Sequence, residues 1–147
     1  MGRIYTASFT GAAFTSGDVW ELNCPADAVV ALLSFRVGVQ SDVADRSVLK
    51  LLRATTSGSG GSTATARPKN VGDPAYGGTI ETLNTTPAGT LTELERWAFE
   101  ALQGVEQIYI PEARPIISPS GRLVLNMEDA LTAVTIEASL TFEEIGG

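Results

Sequence analysis

Histidine is absent from this 147-residue chain, and cysteine occurs once. The first absence removes the commonest general base. The two together exclude the usual His/Cys ligand sets of zinc and transition metals, so no metal or other cofactor is expected. Cys24 has no partner for an internal disulfide. In Asn23-Cys24-Pro25, where a strand gives way to a turn, it reads as a small half-buried hydrophobe, with no histidine nearby in sequence to activate it. Positive charge is also scarce: 10 basic residues face 17 acidic ones, for a net charge of −7. The lysines are Lys50 and Lys69, and the arginines are scattered from Arg3 to Arg122. No basic stripe forms that could neutralise phosphates, and an acidic protein binds anionic membranes poorly, so neither nucleic acid nor membrane is an expected partner. Long apolar runs are missing as well. The longest, Ala28 to Val39, is broken by Ser34 and Arg36 and is too short to span a bilayer. The opening MGRIYTASF lacks the apolar centre of a signal peptide.

What the chain does have is a period of two. Arg3 to Phe9 reads as a first strand ended by Thr10-Gly11, and Asp18 to Leu22 alternates, with Val19 and Glu21 opposite Trp20 and Leu22. Ala28 to Val39 is the strongest strand. Its apolar first half predicts burial on both faces, and Gly38 permits a bend. Arg46 to Ala54 follows, with Leu49, Leu51 and Arg53 on one face and Val48, Lys50 and Leu52 on the other. Later strands are expected at Gly78 to Leu83, Val105 to Ile110, Arg122 to Met127 and Ala133 to Phe142, with a short extended piece at Pro115 to Ile117. The segment Thr90 to Gly104 admits two readings. Leu91, Leu94, Ala98, Ala101 and Leu102 have helical spacing behind a Thr90-to-Glu93 capping box, with Gly104 as a stop. A strand would instead put Trp97 and Phe99 on one face. Eight or nine short strands without βαβ alternation predict one all-β domain over 1–147, a single antiparallel β-sandwich of jelly-roll type.

Between the two groups of strands lies Ala54 to Thr86, rich in Gly, Ser, Thr, Pro and Asn and nearly empty of large apolar residues. A loop of that length inside a compact domain is functional or disordered. It reads as an extended arm with too few apolar groups to order itself against its own domain. Arg67, Pro68, Lys69, Pro74 and Tyr76 are its candidate contacts with a partner: two cations, two stiff turns and one aromatic anchor.

Catalytic constellations are weak. Ser47-Val48-Leu49-Lys50 fits the Ser-x-x-Lys spacing, but that motif needs a helical turn, and a strand sends positions three apart to opposite faces. Glu93 with Glu95 and Glu143 with Glu144 invite a glycosidase reading, although nothing local would raise one pKa of either pair. Gly58 to Thr63 resembles a phosphate loop in composition only, without the Walker lysine. Asp42 and Asp45 lack the EF-hand spacing. Trp20, Trp97, Phe99 and Tyr109 fit a sandwich core better than a sugar platform. No catalytic residue is assigned, and the chain is not expected to be an enzyme.

Several stretches resemble a group of tailed-bacteriophage virion proteins, the capsid decoration or cement proteins. They are Thr55 to Ser62, Ala66-Arg67-Pro68 and Asn84-Thr85-Thr86, then Ile108 to Glu112 and Arg122 to Leu125. The resemblance implies a small β-sandwich that cements the outside of a capsid, commonly as a trimer. It implies a major capsid protein and further copies of this chain as partners, and a place on the virion surface after synthesis in the host cytoplasm. It also implies a strand around Trp97. Two other functions stay open: a receptor- or sugar-binding module of a tail or fibre, using loop aromatics such as Tyr76, and a hydrolase built on the acidic pairs.

Overall fold

The computed structural model describes residues 2–146. Twelve strands run in chain order: β1 (Arg3–Phe14), β2 (Gly17–Asn23), β3 (Ala28–Gln40), β4 (Arg46–Thr56), β5 (Ser62–Ala64), β6 (Arg67–Pro68), β7 (Thr79–Asn84), β8 (Gly89–Glu100), β9 (Val105–Ile108), β10 (Ile116–Ile117), β11 (Arg122–Met127) and β12 (Val134–Gly146). Among the described residues the only helical element is a 3-10 turn at Pro111–Ala113. The strands form two antiparallel sheets. The first has the order β10-β3-β12-β1-β6, with β9 also on β3; the second is β5-β7-β2-β11-β4-β8. The chain crosses from one sheet to the other at each of the first three connections.

The alternation read from the sequence is what packs these sheets together. Tyr5 and Ala7 of β1, Phe35 and Val37 of β3, and Leu140 and Phe142 of β12 turn inward from the first sheet. Trp20 and Leu22 of β2, Leu49 and Leu51 of β4, Phe99 of β8 and Leu123 and Leu125 of β11 meet them from the second. Phe35 sits edge-on to two rings across the gap, with centroids 6.0 Å from Trp20 and 5.3 Å from Trp97. Each such large side chain contributes about 1.5–3 kcal/mol through burial. Trp20, Phe99 and Tyr109 are buried and Trp97 is half-buried against Phe35, so the aromatics serve the core. Cys24 is buried too, its Sγ donating to the Ala28 carbonyl at 3.2 Å.

Strand boundaries differ from expectation at several places: β12 runs four residues past Phe142 to Gly146, and β9 stops at Ile108 instead of Ile110. β1 runs on past Thr10-Gly11 to Phe14, pairing with β12 through an irregular step between Gly11 and Phe14. β4 extends two residues to Thr56. The segment Thr90 to Gly104 is not a helix: residues to Glu100 pair with β4, and a turn follows. Gly104 makes that turn at φ 70°, where an added Cβ would run into the Val37 carbonyl.

Candidate interaction surface

The segment between β4 and β8 is laid onto its own domain, which corrects the expectation of an arm too polar to order itself there. Ser62–Ala64 pairs with β7 in the second sheet, and Arg67–Pro68 pairs with β1 in the first, so the segment straps one sheet to the other. Apolar packing supplies one anchor. The Tyr76 ring packs on Phe142 and Tyr5, with centroids 4.8 and 5.4 Å away, and its hydroxyl donates to the Asn23 carbonyl at 2.7 Å. The Tyr5 hydroxyl donates to the Pro74 carbonyl at 3.0 Å. Burial pushes both phenols above their usual range.

The other anchors are carboxylates, and the sequence reading missed them. Glu21 is fully buried and accepts the Gly58 N–H at 3.0 Å. Asp18, also fully buried, accepts the Ala88 N–H at 2.7 Å and the Asn126 amide at 2.8 Å. Glu144, nearly as buried, takes the Gly77 N–H at 3.5 Å and an ion pair with Arg3. Three framework carboxylates therefore hold three backbone donors of the strap. Such charge-assisted bonds are roughly twice as strong as neutral ones. Arg122 Nε lies 3.1 Å from Glu21 Oε1 but is turned toward Ser57, so that contact is ionic rather than a hydrogen bond. Burial raises the Asp18 pKa, and the bonds from Asn126 and Ala88 offset only part of the rise. Ser59 and Thr86 close the strap's two ends on each other with a pair of backbone bonds of 2.9 and 3.0 Å.

These anchors settle the weaker motifs. The Gly58 N–H points at a carboxylate of the protein's own, a poor start for a phosphate site. Ser47 Oγ exchanges hydrogen bonds with the Asp129 backbone, while Lys50 reaches Glu128 at 2.6 Å from the other face of β4. Glu93 is ion-paired to Arg96 at 3.0 Å, which holds its carboxyl below the usual range, and Glu95 accepts from the Tyr109 hydroxyl at 3.3 Å. Asp45 caps the Thr132 N–H, and Asn84 is buried with its amide on Glu81.

Of the five candidate contact residues, the structure brings two, Arg67 and Lys69, to one outer face, while Pro68 lies opposite the inward-pointing Tyr5. Tyr76 is turned into the domain; Arg67, Lys69 and Pro74 are exposed and Pro68 is half-buried. Arg67 stands opposite Thr6, and the row continues through Thr141 and Ser34 to Ile108. The adjacent row runs Ile4, Glu143, Ala31, Ile116, with the Lys69 N–H on the Ile4 carbonyl. Both rows lie on the outer face of the first sheet. Ile108 is 70% exposed, and Ile4, Ile116 and the neighbouring Ile145 are 39–46% exposed. In these two rows Arg67 and Lys69 make no ion pair among the described residues, whereas Glu143 is met by Arg114 at 3.9 Å; the next row of the same face carries exposed Arg36 opposite exposed Glu106.

No family model, curated protein or solved structure matches the chain. The surface is therefore interpreted from its own chemistry: a sheet face with four exposed isoleucines among small polar residues, and with Arg67 and Lys69 on the strap side, in a protein that is acidic as a whole. Open faces that mix apolar side chains with a charged border suit protein–protein contact better than the enclosure of a small molecule.

Proposed function

We propose that this chain is a structural virion protein that decorates the outer surface of a bacteriophage capsid through protein–protein contacts. The observation that carries the reading is the outer face of the first sheet, where exposed isoleucines lie beside Arg67 and Lys69 on an otherwise acidic protein. An acidic patch on the major capsid protein is its natural complement, because opposite potentials steer and orient docking. The strand order supports a jelly roll. Leaving out the strap and the two-residue β10, β1-β12-β3-β9 faces β2-β11-β4-β8, the arrangement of two interleaved Greek keys found in viral shell proteins. Association in three copies, implied by the resemblance, belongs to the same reading, as does a place on the virion surface. The tail- or fibre-adhesin alternative loses its best ligand platform, since the Tyr76 ring and hydroxyl are both engaged within the domain.

The test is co-sedimentation with assembled shells that lack a decoration protein. The chain should pellet with them, and the Arg67→Glu/Lys69→Glu and Ile108→Asp variants should pellet less while keeping the parent's circular dichroism. Equal binding of parent and variants, or none by the parent, removes the reading.

A further inference from the structure

β8 is the last strand of the second sheet, and among the described residues no strand pairs with its far edge. An unpaired edge of 12 residues is a template for another strand. Its sequence is self-complementary about its own midpoint, which falls between Leu94 and Glu95. Laid antiparallel on a second copy about that point, Glu93 meets Arg96 of the other copy, and Arg96 meets its Glu93. Leu91 meets Ala98, Thr92 meets Trp97, and Glu95 and Glu100 face Leu94 and Gly89. No like charges are opposed.

In an unbroken strand this pairing would fail, because residues three apart point to opposite faces. The β8 backbone removes the obstacle. Glu93 stands opposite Leu52 and Glu95 opposite Leu51, so Leu94 is an extra, bulged residue. The bulge puts Glu93 and Arg96 on one face, where they already touch at 3.0 Å within the chain. It does the same for Leu91 and Ala98, which stand opposite Ala54 and Val48. Moving the midpoint onto Leu94 sets Glu93 against Glu95, and moving it onto Glu95 opposes two copies of that carboxylate. Bulges and charges usually protect an edge; here they select one register.

We propose that two copies of this chain pair through β8 across a two-fold axis, continuing the second sheet from one copy into the other. The contact is isologous and closes on itself, so it yields pairs rather than filaments. It uses the edge of the second sheet, and does not depend on the decorating role proposed for the first.

The experiment places cysteines on the full chain. With Leu91→Cys and Ala98→Cys together, mild oxidation should give a disulfide-linked dimer. Within one chain these positions are about 23 Å apart along the strand, at about 3.3 Å per residue, too far to bridge. Either single variant should stay monomeric under the same oxidation. Adding Glu93→Arg or Arg96→Glu should cut cross-linking about tenfold, corresponding to about 1.4 kcal/mol, and the exchange of both should restore it. A double-cysteine variant that stays monomeric, or one that links no better than the singles, overturns the pairing. So does a charge exchange that fails to rescue. The unaltered chain gives an independent reading by sedimentation. Whether the chain is otherwise single or in threes, a mass that doubles with rising concentration and falls back with salt is expected, and a mass that never doubles up to about millimolar refutes the proposal.

Discussion

Glu21 offers the sharpest test of how the strap is held. Its carboxylate is fully buried, accepts the Gly58 N–H at 3.0 Å and faces Arg122 at 3.1 Å. Glu21→Gln keeps the shape and one acceptor oxygen but removes the charge. A hydrogen bond to a charged group contributes about 1.5–3 kcal/mol and a neutral one about 0.5–1.5, so the loss should be about 1–2 kcal/mol. Arg122 is not stranded by this change: it is 28% exposed and donates to the Thr55 carbonyl and Ser57 Oγ. Glu21→Leu goes further. It leaves the Gly58 N–H without an acceptor, adding about 1–3 kcal/mol for an unsatisfied donor. Urea unfolding should therefore rank the parent above Gln and Gln above Leu, with lower midpoints and an unchanged slope. Amide exchange at Gly58 should accelerate in the same order. If the Gln and Leu variants unfold together, or either matches the parent, the carboxylate is not what fastens the strap.

Three further predictions follow from the buried polar groups. All three tyrosines, Tyr5, Tyr76 and Tyr109, have raised pKa values, mainly through burial. Their neutral forms stabilise the fold below the unfolded tyrosine pKa near 10, and that stability is lost as pH rises beyond it. Phenolate absorbance should thus appear only with loss of the circular dichroism signal, and a tyrosine titrating normally in the folded chain would contradict the burial. Asp18, also raised, follows the same rule in the acid range: the native state takes up its proton more readily, so this residue's contribution grows as pH falls through its folded value toward 3.8. Asp18→Asn should remove that part of the slope of urea stability on the acid side, above 3.8, and an unchanged slope would refute the assignment. Tyr76→Ala should cost about 2–3 kcal/mol, below the range for a fully buried aromatic because the ring is only half-buried. Amide exchange at Gly77 and Lys69 should accelerate, while exchange in β11 changes only with global stability.

The two-sheet plan was legible because inward positions alternate so regularly in β7 and β12. The region around Trp97 was ambiguous for a definite reason. The bulge at Leu94 adds one residue to an alternating strand, so Leu91, Leu94 and Ala98 fall three and four apart, the spacing of a helix. The order in the strap was illegible because its anchors are remote in sequence. Nothing in Gly58, Gly77 or Ala88 announces that Glu21, Glu144 or Asp18 will accept its N–H. Short polar strands such as β5 and β6 carry no apolar alternation either, since they cover edges rather than line the core. Of the candidate contacts, Arg67 and Lys69 could be read as exposed cations from composition. That Tyr76 faces inward depends on Tyr5 and Phe142, which come from the two ends of the chain.

One long antiparallel partnership in the first sheet joins β1 to β12, from Arg3 against Glu144 to Phe14 against Val134. This sets a clock on biosynthesis. Tyr5, Ala7 and Phe9 are made well over a hundred residues before β12, the strand that pairs with theirs. Until then β1 is an apolar ribbon with an open edge, able to stick to any extended segment nearby. Closure of so long a loop also belongs to the slow, non-local class of folding steps. A newly made copy in a crowded cell is therefore most vulnerable just before β12 arrives, and chaperone demand should be set by β12 rather than by the strap.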